Sequence, residues 1–159
     1  MRTPRDNRYG RPKVGSMNDT IYKFGYPASV IHEYQHWVVL LRPQQVTLGS
    51  LVLAAKAEVI HYHALPAEAF SEMQRVVTDI ETTLATVVGY ERMNYLMLMM
   101  VDPHVHYHVL PRYDGSRVFD GADFPDQSWP GPPALNLTTE MNDASRIELL
   151  AHVRSSWPD

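Results

Sequence analysis

The chain has 159 residues, no cysteine and eight histidines, with 14 basic against 18 acidic side chains for a formal charge of −4. That length suits one domain with a substantial core, the lack of cysteine excludes disulfides and thiolate metal sites, and without a run of 18 apolar residues no membrane-spanning helix is expected. Residues 1–16 hold Arg2, Arg5, Arg8, Arg11 and Lys13 against Asp6, which leaves residues 17–159 at −8 and argues against general nucleic-acid binding by the folded part.

The leader, 1–16, mixes Arg, Asn, Gly and Pro with almost nothing to bury and lacks the apolar stretch of a secretory signal, so a disordered tail on a soluble, cytoplasmic protein is expected. Met17 is a second candidate start. Tyr22–Tyr26 and Ser29–Tyr34 combine aromatic and β-branched residues around Gly25-Tyr26-Pro27 and read as short strands or a hairpin. Trp37-Val38-Val39-Leu40-Leu41 is an unbroken apolar run, the pattern of a strand buried on both faces, and Pro43 ends it. After a loop at 44–47 and Gly49, which permits a close approach, Leu51–Ala54 resumes as its antiparallel neighbour.

From Pro66 to Val88 the apolar residues Phe70, Met73, Val76, Val77, Ile80, Leu84, Val87 and Val88 recur at steps of three and four. The spacing predicts an amphipathic helix of about six turns, started by Pro66 and stopped at Gly89, with Glu68, Glu72, Asp79 and Glu81 on its polar side. Tyr95–Val101 reads as a buried strand whose Met97, Met99 and Met100 fill core space. It leads through Asp102-Pro103 into a second strand. Beyond Arg112, the Gly and Pro residues between Tyr113 and Asn136 predict loop, anchored by Trp129 on the domain or on a partner. Thr138 or Thr139 then caps a last helix with Met141, Ile147, Leu149, Leu150 and Val153 on its apolar side. The fold class is α+β, with a leader at 1–16, a domain at 17–115 and a loop-plus-helix segment at 116–159.

The strand after Pro103 carries the chemistry. In His104-Val105-His106-Tyr107-His108-Val109-Leu110-Pro111-Arg112 the histidines alternate strictly, so three imidazoles share one sheet face while Val105, Tyr107 and Val109 share the other. Neutral imidazole serves near pH 7 as nucleophile, general base or metal ligand. A metal-dependent enzyme built on His104 and His106, with His61 or His63 adding a ligand, is therefore one reading. His61 and His63 repeat the spacing but read as a solvated loop end. His32, His36 and His152 read as surface or interface residues, and Lys56 as a solvent-facing lysine.

These nine residues resemble the histidine-triad family, whose pattern is His-φ-His-φ-His-φ-φ with φ apolar, and the Pro111-Arg112 pair is similar to the branch that hydrolyses dinucleoside polyphosphates. The element order over about residues 20 to 115 resembles that family's fold, an antiparallel sheet of about five strands carrying one long helix. The resemblance implies a cofactor-free, metal-independent homodimer, with the long helix and neighbouring strand at the interface, that binds a small nucleotide. It would cleave an α-phosphate bond of a nucleoside polyphosphate or phosphoramidate through a nucleotidyl-histidine intermediate. By position, His106 is then the nucleophile, His104 orients it and fixes its tautomer, and His108 donates to a nonbridging phosphate oxygen. A non-catalytic nucleotide-binding module of the same fold is the rival within that resemblance.

Several positions depart from the family pattern. Gly49-Ser50 stands where many members have Gly-His, and Ser50 can hydrogen-bond but not become cationic. Met100-Val101-Asp102-Pro103 replaces a Gln- or Ser-bearing phosphate contact, and Leu41-Arg42 replaces a ribose-binding Asp or Asn. On the resemblance, Ser50, Leu41, Arg42, Met100 and Arg112 are the substrate-binding candidates, with Arg42 meeting a phosphate or a differently substituted sugar.

Overall fold

The structure is a computed structural model that describes residues 17–159, and the expectation of a disordered leader lies outside them. A helical turn, α1 (Asp19–Lys23), precedes strands β1 (Val30–Glu33), β2 (Trp37–Leu41) and β3 (Leu51–Ala55). The long helix α2 (Ala67–Val87) follows, then β4 (Arg92–Leu96), β5 (His106–Arg112), the hairpin β6 (Ser116–Phe119) and β7 (Ala122–Pro125), and α3 (Asp143–Ser155). Five strands form one antiparallel sheet in the order β1-β2-β3-β5-β4, and β6-β7 form a second small sheet. The α+β architecture with a five-stranded sheet and one long helix is as the sequence implies. Among the described residues no helix is long and apolar enough to cross a membrane.

β2 and β3 lie in the middle of the sheet, and every residue of both is buried. Alternation sorts their side chains into two cores. Trp37, Val39, Leu41, Leu51, Leu53 and Ala55 face α2 and α3, meeting Val76, Ile80 and Leu84 of the long helix and Leu149 and Val153 of the last one. Val38, Leu40, Val52 and Ala54 face the other way, onto Ile21 and Phe24 around α1. Each large aliphatic side chain so buried contributes roughly 1.5–3 kcal/mol. Residues 116–159 supply Phe124, Leu149, Leu150, Val153 and Trp157 to the α2-side core, so this segment is part of the same domain.

The chain reverses between β2 and β3 through a turn held by one side chain. Gln45 Nε2 donates to the carbonyls of Arg42 (2.7 Å) and Ser50 (3.0 Å), while its Oε1 accepts from the backbone N–H groups of Gly49 and Ser50. Gly49 has φ +86°, and a Cβ there would stand 2.8 Å from Val88 Cγ2, so the close approach requires glycine.

Four elements differ from the sequence expectation. Residues 19–23 are helical because Asn18 caps them, its Oδ1 accepting from Ile21 N at 3.1 Å; a turn this short shows no periodicity to set against its aromatic content. β4 begins at Arg92 and ends at Leu96. The Met97–Val101 stretch is irregular, with Met99 at φ +49° and Met100 85% exposed, so only Met97 and Met99 pack on the core. The expected loop after Tyr113 contains the β6-β7 hairpin, and α3 is capped by Asn142, whose Oδ1 accepts from Ser145 N at 2.8 Å, instead of by Thr138 or Thr139. Asp79, expected on the polar side of the helix, is buried and accepts from Tyr34 Oη at 2.7 Å, which itself accepts from Trp157 Nε1 at 3.1 Å.

Candidate active site

The ladder places β5 between β3 and β4, with His108 opposite Val52 on one side and Leu96 on the other, and His106 opposite Ala54. Val105 and Val109 enter the α2-side core, which leaves His106 and His108 on the face covered by α1. His104 falls just before β5 and is half-buried beside them. His106 is 2% and His108 8% exposed, their ring centroids 5.1 Å apart, with the Phe24 ring 5.6 Å from the first and 5.8 Å from the second.

Hydrogen bonds assign the proton positions. His106 Nδ1 lies 2.7 Å from the backbone carbonyl of His104, and a carbonyl only accepts, so Nδ1 carries the proton and the lone pair is on Nε2. His104 thus fixes the tautomer of its neighbour through its backbone; its own ring Nδ1 sits 2.9 Å from Thr20 Oγ1. Arg42 Nε–H donates to His108 Nδ1 at 3.5 Å, which directs the proton of neutral His108 to Nε2. Burial, then the Arg42 charge, then His106 push the His108 pKa down to about 4, so this ring is neutral at physiological pH. Burial also lowers the pKa of Arg42 itself.

A cavity of about 260 Å³ next to these groups is lined by Lys23, Phe24, Arg42, Pro43 and Gln44. Each of its two cations has a partner. Lys23 Nζ pairs with Asp102 Oδ1 at 2.6 Å, and Arg42 Nη1 donates to the Gln44 carbonyl. Asp102 belongs to the segment Met100–Pro103 and ties it to α1, so that segment acts here through its carboxylate.

The remaining binding candidates divide. Arg42 joins the histidines. Ser50 is on their face of the sheet but fully occupied, its Oγ donating to the Thr47 carbonyl (2.7 Å) and accepting from Thr47 N (3.1 Å), so it closes the turn. Leu41 alternates into the α2-side core, and Met100 extends into solvent. Arg112 is 3% exposed and bound in two-toothed fashion to Asp126, Nε to Oδ2 at 2.7 Å and Nη2 to Oδ1 at 3.1 Å; it pins the 126–131 loop. Removing that carboxylate takes the counter-charge from a buried guanidinium, so Asp126→Ala is expected to cost about 3–5 kcal/mol of unfolding free energy, read by denaturant titration. A loss under about 1 kcal/mol would show the pair to be dispensable.

Sequence reasoning missed Thr20, Lys23 and Phe24, which lie on or beside α1. The signal was Asn18-Asp19, a capping residue followed by an acid in the first turn. For the metal reading, no group of three or more His, Asp or Glu side chains is gathered among the described residues in the way a metal needs. His61 and His63 are exposed and stack on each other at 5.8 Å.

A strand bearing His-x-His next to the edge strand of a five-stranded antiparallel sheet, backed by one long helix, defines an α+β protein of the histidine-triad fold. A histidine triad protein from Sinorhizobium meliloti 1021 matches it with TM-score 0.69 at 16% identity, over 89% of this chain and 96% of its own. One from Bradyrhizobium japonicum matches with TM-score 0.67 at 14% identity, over 89% and 97%. A zinc-bound histidine triad family protein from Mycobacterium smegmatis matches with TM-score 0.56 at 20% identity, over 86% and 88%. No protein-family model matches the sequence, and no curated protein matches it. At these identities the shared property is the fold.

Proposed function

We propose that this chain is a member of the histidine-triad family and acts in the cytoplasm as a nucleotidyl hydrolase or transferase on a nucleoside with a substituted α-phosphate, a dinucleoside polyphosphate or a phosphoramidate. The observation that carries it is the 2.7 Å contact of His106 Nδ1 with the His104 carbonyl, which leaves an Nε2 lone pair beside a neutral donor and a fixed guanidinium. In the reaction Nε2 of His106 bonds to the α-phosphorus, and the bond from phosphorus to the leaving oxygen or nitrogen breaks with its electron pair on the leaving atom, a leaving nitrogen departing as the amine with a proton taken from water. Water then attacks phosphorus and gives up a proton to solvent, the phosphorus–nitrogen bond breaks with its electron pair returning to His106 Nε2, and a nucleoside monophosphate leaves. His108 Nε2–H donates to a nonbridging oxygen, and Arg42 and Lys23 offset the charge that builds there. The reading is tested by intact mass after mixing chelator-treated protein with diadenosine tetraphosphate or adenosine phosphoramidate and quenching fast. An added nucleotidyl mass or metal-free turnover supports it. Binding without adduct or product points to the non-catalytic module, and turnover that needs zinc points to the metal reading that the zinc-bound neighbour keeps in view.

The same reading includes a homodimer. Among the described residues β4 pairs only with β5 and forms a sheet edge, whereas the Val30 carbonyl on the opposite edge strand, β1, accepts from Arg154 Nε at 2.7 Å. Beyond β4, Leu98, Met100 and Val101 expose apolar side chains, Val101 at 82%. An open edge flanked by such residues is suited to antiparallel pairing with its own copy about a two-fold axis. Light scattering is expected to give twice the 18.2 kDa chain mass for the wild type and the single mass for Val101→Glu. A monomeric wild type overturns the dimer and leaves the catalytic proposal standing.

A further inference from the structure

The histidine face of the sheet continues past the triad into a second cavity. Met93 and Tyr95 of β4 pack on the α2 side, so Arg92, Asn94 and Leu96 alternate onto the histidine side. The register sets Leu96 opposite His108, Asn94 opposite Leu110 and Arg92 opposite Arg112. From His106 to Arg112 is about 20 Å of strand, a distance that a polyphosphate chain with its far nucleoside spans. At that end Arg92, Asn94, Arg112, Trp129 and residues 130–132 enclose about 500 Å³, the size of a small-molecule site.

The walls of this cavity are fixed and chemically distinct. Arg112 is locked by Asp126, by Asn94 Oδ1 at 2.8 Å and by the Gly131 carbonyl at 2.8 Å, and its charge is offset by Asp126. Asn94, having given its oxygen to Arg112, keeps its amide N–H groups for a ligand. Arg92 is exposed, and its hydrogen bond to the Glu91 carbonyl leaves donors on the guanidinium open. The half-buried Trp129 adds an aromatic plane. A cation, an amide donor and an indole converging on one hollow fit a planar ring that carries an anionic group.

We propose that this cavity is a subsite for the far end of a two-headed nucleotide, with its ring on Trp129 and its phosphate or ribose oxygens on Arg92 and Asn94 while the α-phosphate sits at His106. The inference rests on the nucleotidyl-transfer reading and adds to it a choice of leaving group.

The test uses the full chain and ADP as the stand-in for a leaving nucleotide, read by tryptophan fluorescence. Trp37 and Trp157 are buried, so an accessible quench reports Trp129. ADP is expected to quench the wild type and a His106→Asn variant alike, to have no effect on Trp129→Phe, and to bind about tenfold more weakly to Arg92→Gln. No quench, a quench that survives Trp129→Phe, or unchanged affinity in Arg92→Gln overturns the subsite. In turnover, the kcat/KM ratio of diadenosine tetraphosphate to adenosine phosphoramidate is expected to fall about tenfold in Arg92→Gln, and an unchanged ratio also overturns it. Failure of the catalytic reading shows separately, as absence of a histidine adduct and of product with the wild type.

Discussion

His106→Asn is expected to abolish the nucleotidyl adduct and to lower turnover by a factor on the order of 10⁴ or more, because no other group supplies the electron pair that attacks phosphorus. Asparagine keeps an N–H able to reach the His104 carbonyl, so the local backbone is preserved while the nucleophilic lone pair is removed. Position 104 behaves differently. Its contribution to His106 is a backbone carbonyl, which every substitution other than a backbone change retains, and its ring contacts Thr20. His104→Ala is therefore expected to slow turnover by no more than roughly a hundredfold, through looser seating of α1 over the site. A His106→Asn enzyme with full turnover removes this residue as nucleophile, and equal losses at 104 and 106 refute the backbone role of His104. Rates from rapid quench, paired with intact mass, decide both.

Legibility followed the length scale of the interactions. The triad strand, the fully buried β2 and the long helix were readable because period-2 and period-3.6 patterns depend only on near neighbours in the chain. Phe70 shows the limit of that reading: it fits the helical stripe, yet it turns outward onto Tyr62, with ring centroids 5.4 Å apart. Arg112 shows a similar limit. Its position after Pro111 resembles a substrate contact, while its actual partner, Asp126, comes from a loop whose path no local pattern specifies. Arg42 lies beside His108, a contact between segments 66 residues apart that no local sequence pattern signals. Ser50 was expected to replace a missing histidine. It is instead consumed by the turn with Thr47, and the positive charge that a histidine would bring at that end of the site comes from Arg42 and Lys23.

That substitution of a permanent cation for a titrating one has a measurable consequence in pH. The His108 pKa of about 4 lies below the usual 6.5 because burial, Arg42 and His106 all disfavour its charged form. Between those two values the unfolded chain binds a proton at residue 108 that the folded protein does not, so folding stability falls as pH drops from 6.5 towards 4. The contribution is absent above 6.5, where the ring is neutral in both states, and reaches about 3 kcal/mol below pH 4. In Arg42→Gln the burial part of the shift remains and the charge part goes, so the His108 titration is expected to move up towards 6.5 and the slope of stability against pH to flatten. His108→Gln should remove this slope entirely. The same Arg42→Gln change withdraws a guanidinium from the developing phosphate charge, and turnover is expected to fall about 10²- to 10³-fold. Ring-proton NMR titration and denaturant unfolding across pH 4 to 7 test the first part, and rapid-quench rates test the second. A His108 that titrates near 6.5 in the wild type would mean that the guanidinium does not govern the ring, and an Arg42→Gln enzyme of unchanged rate would mean that it does not act on the phosphate.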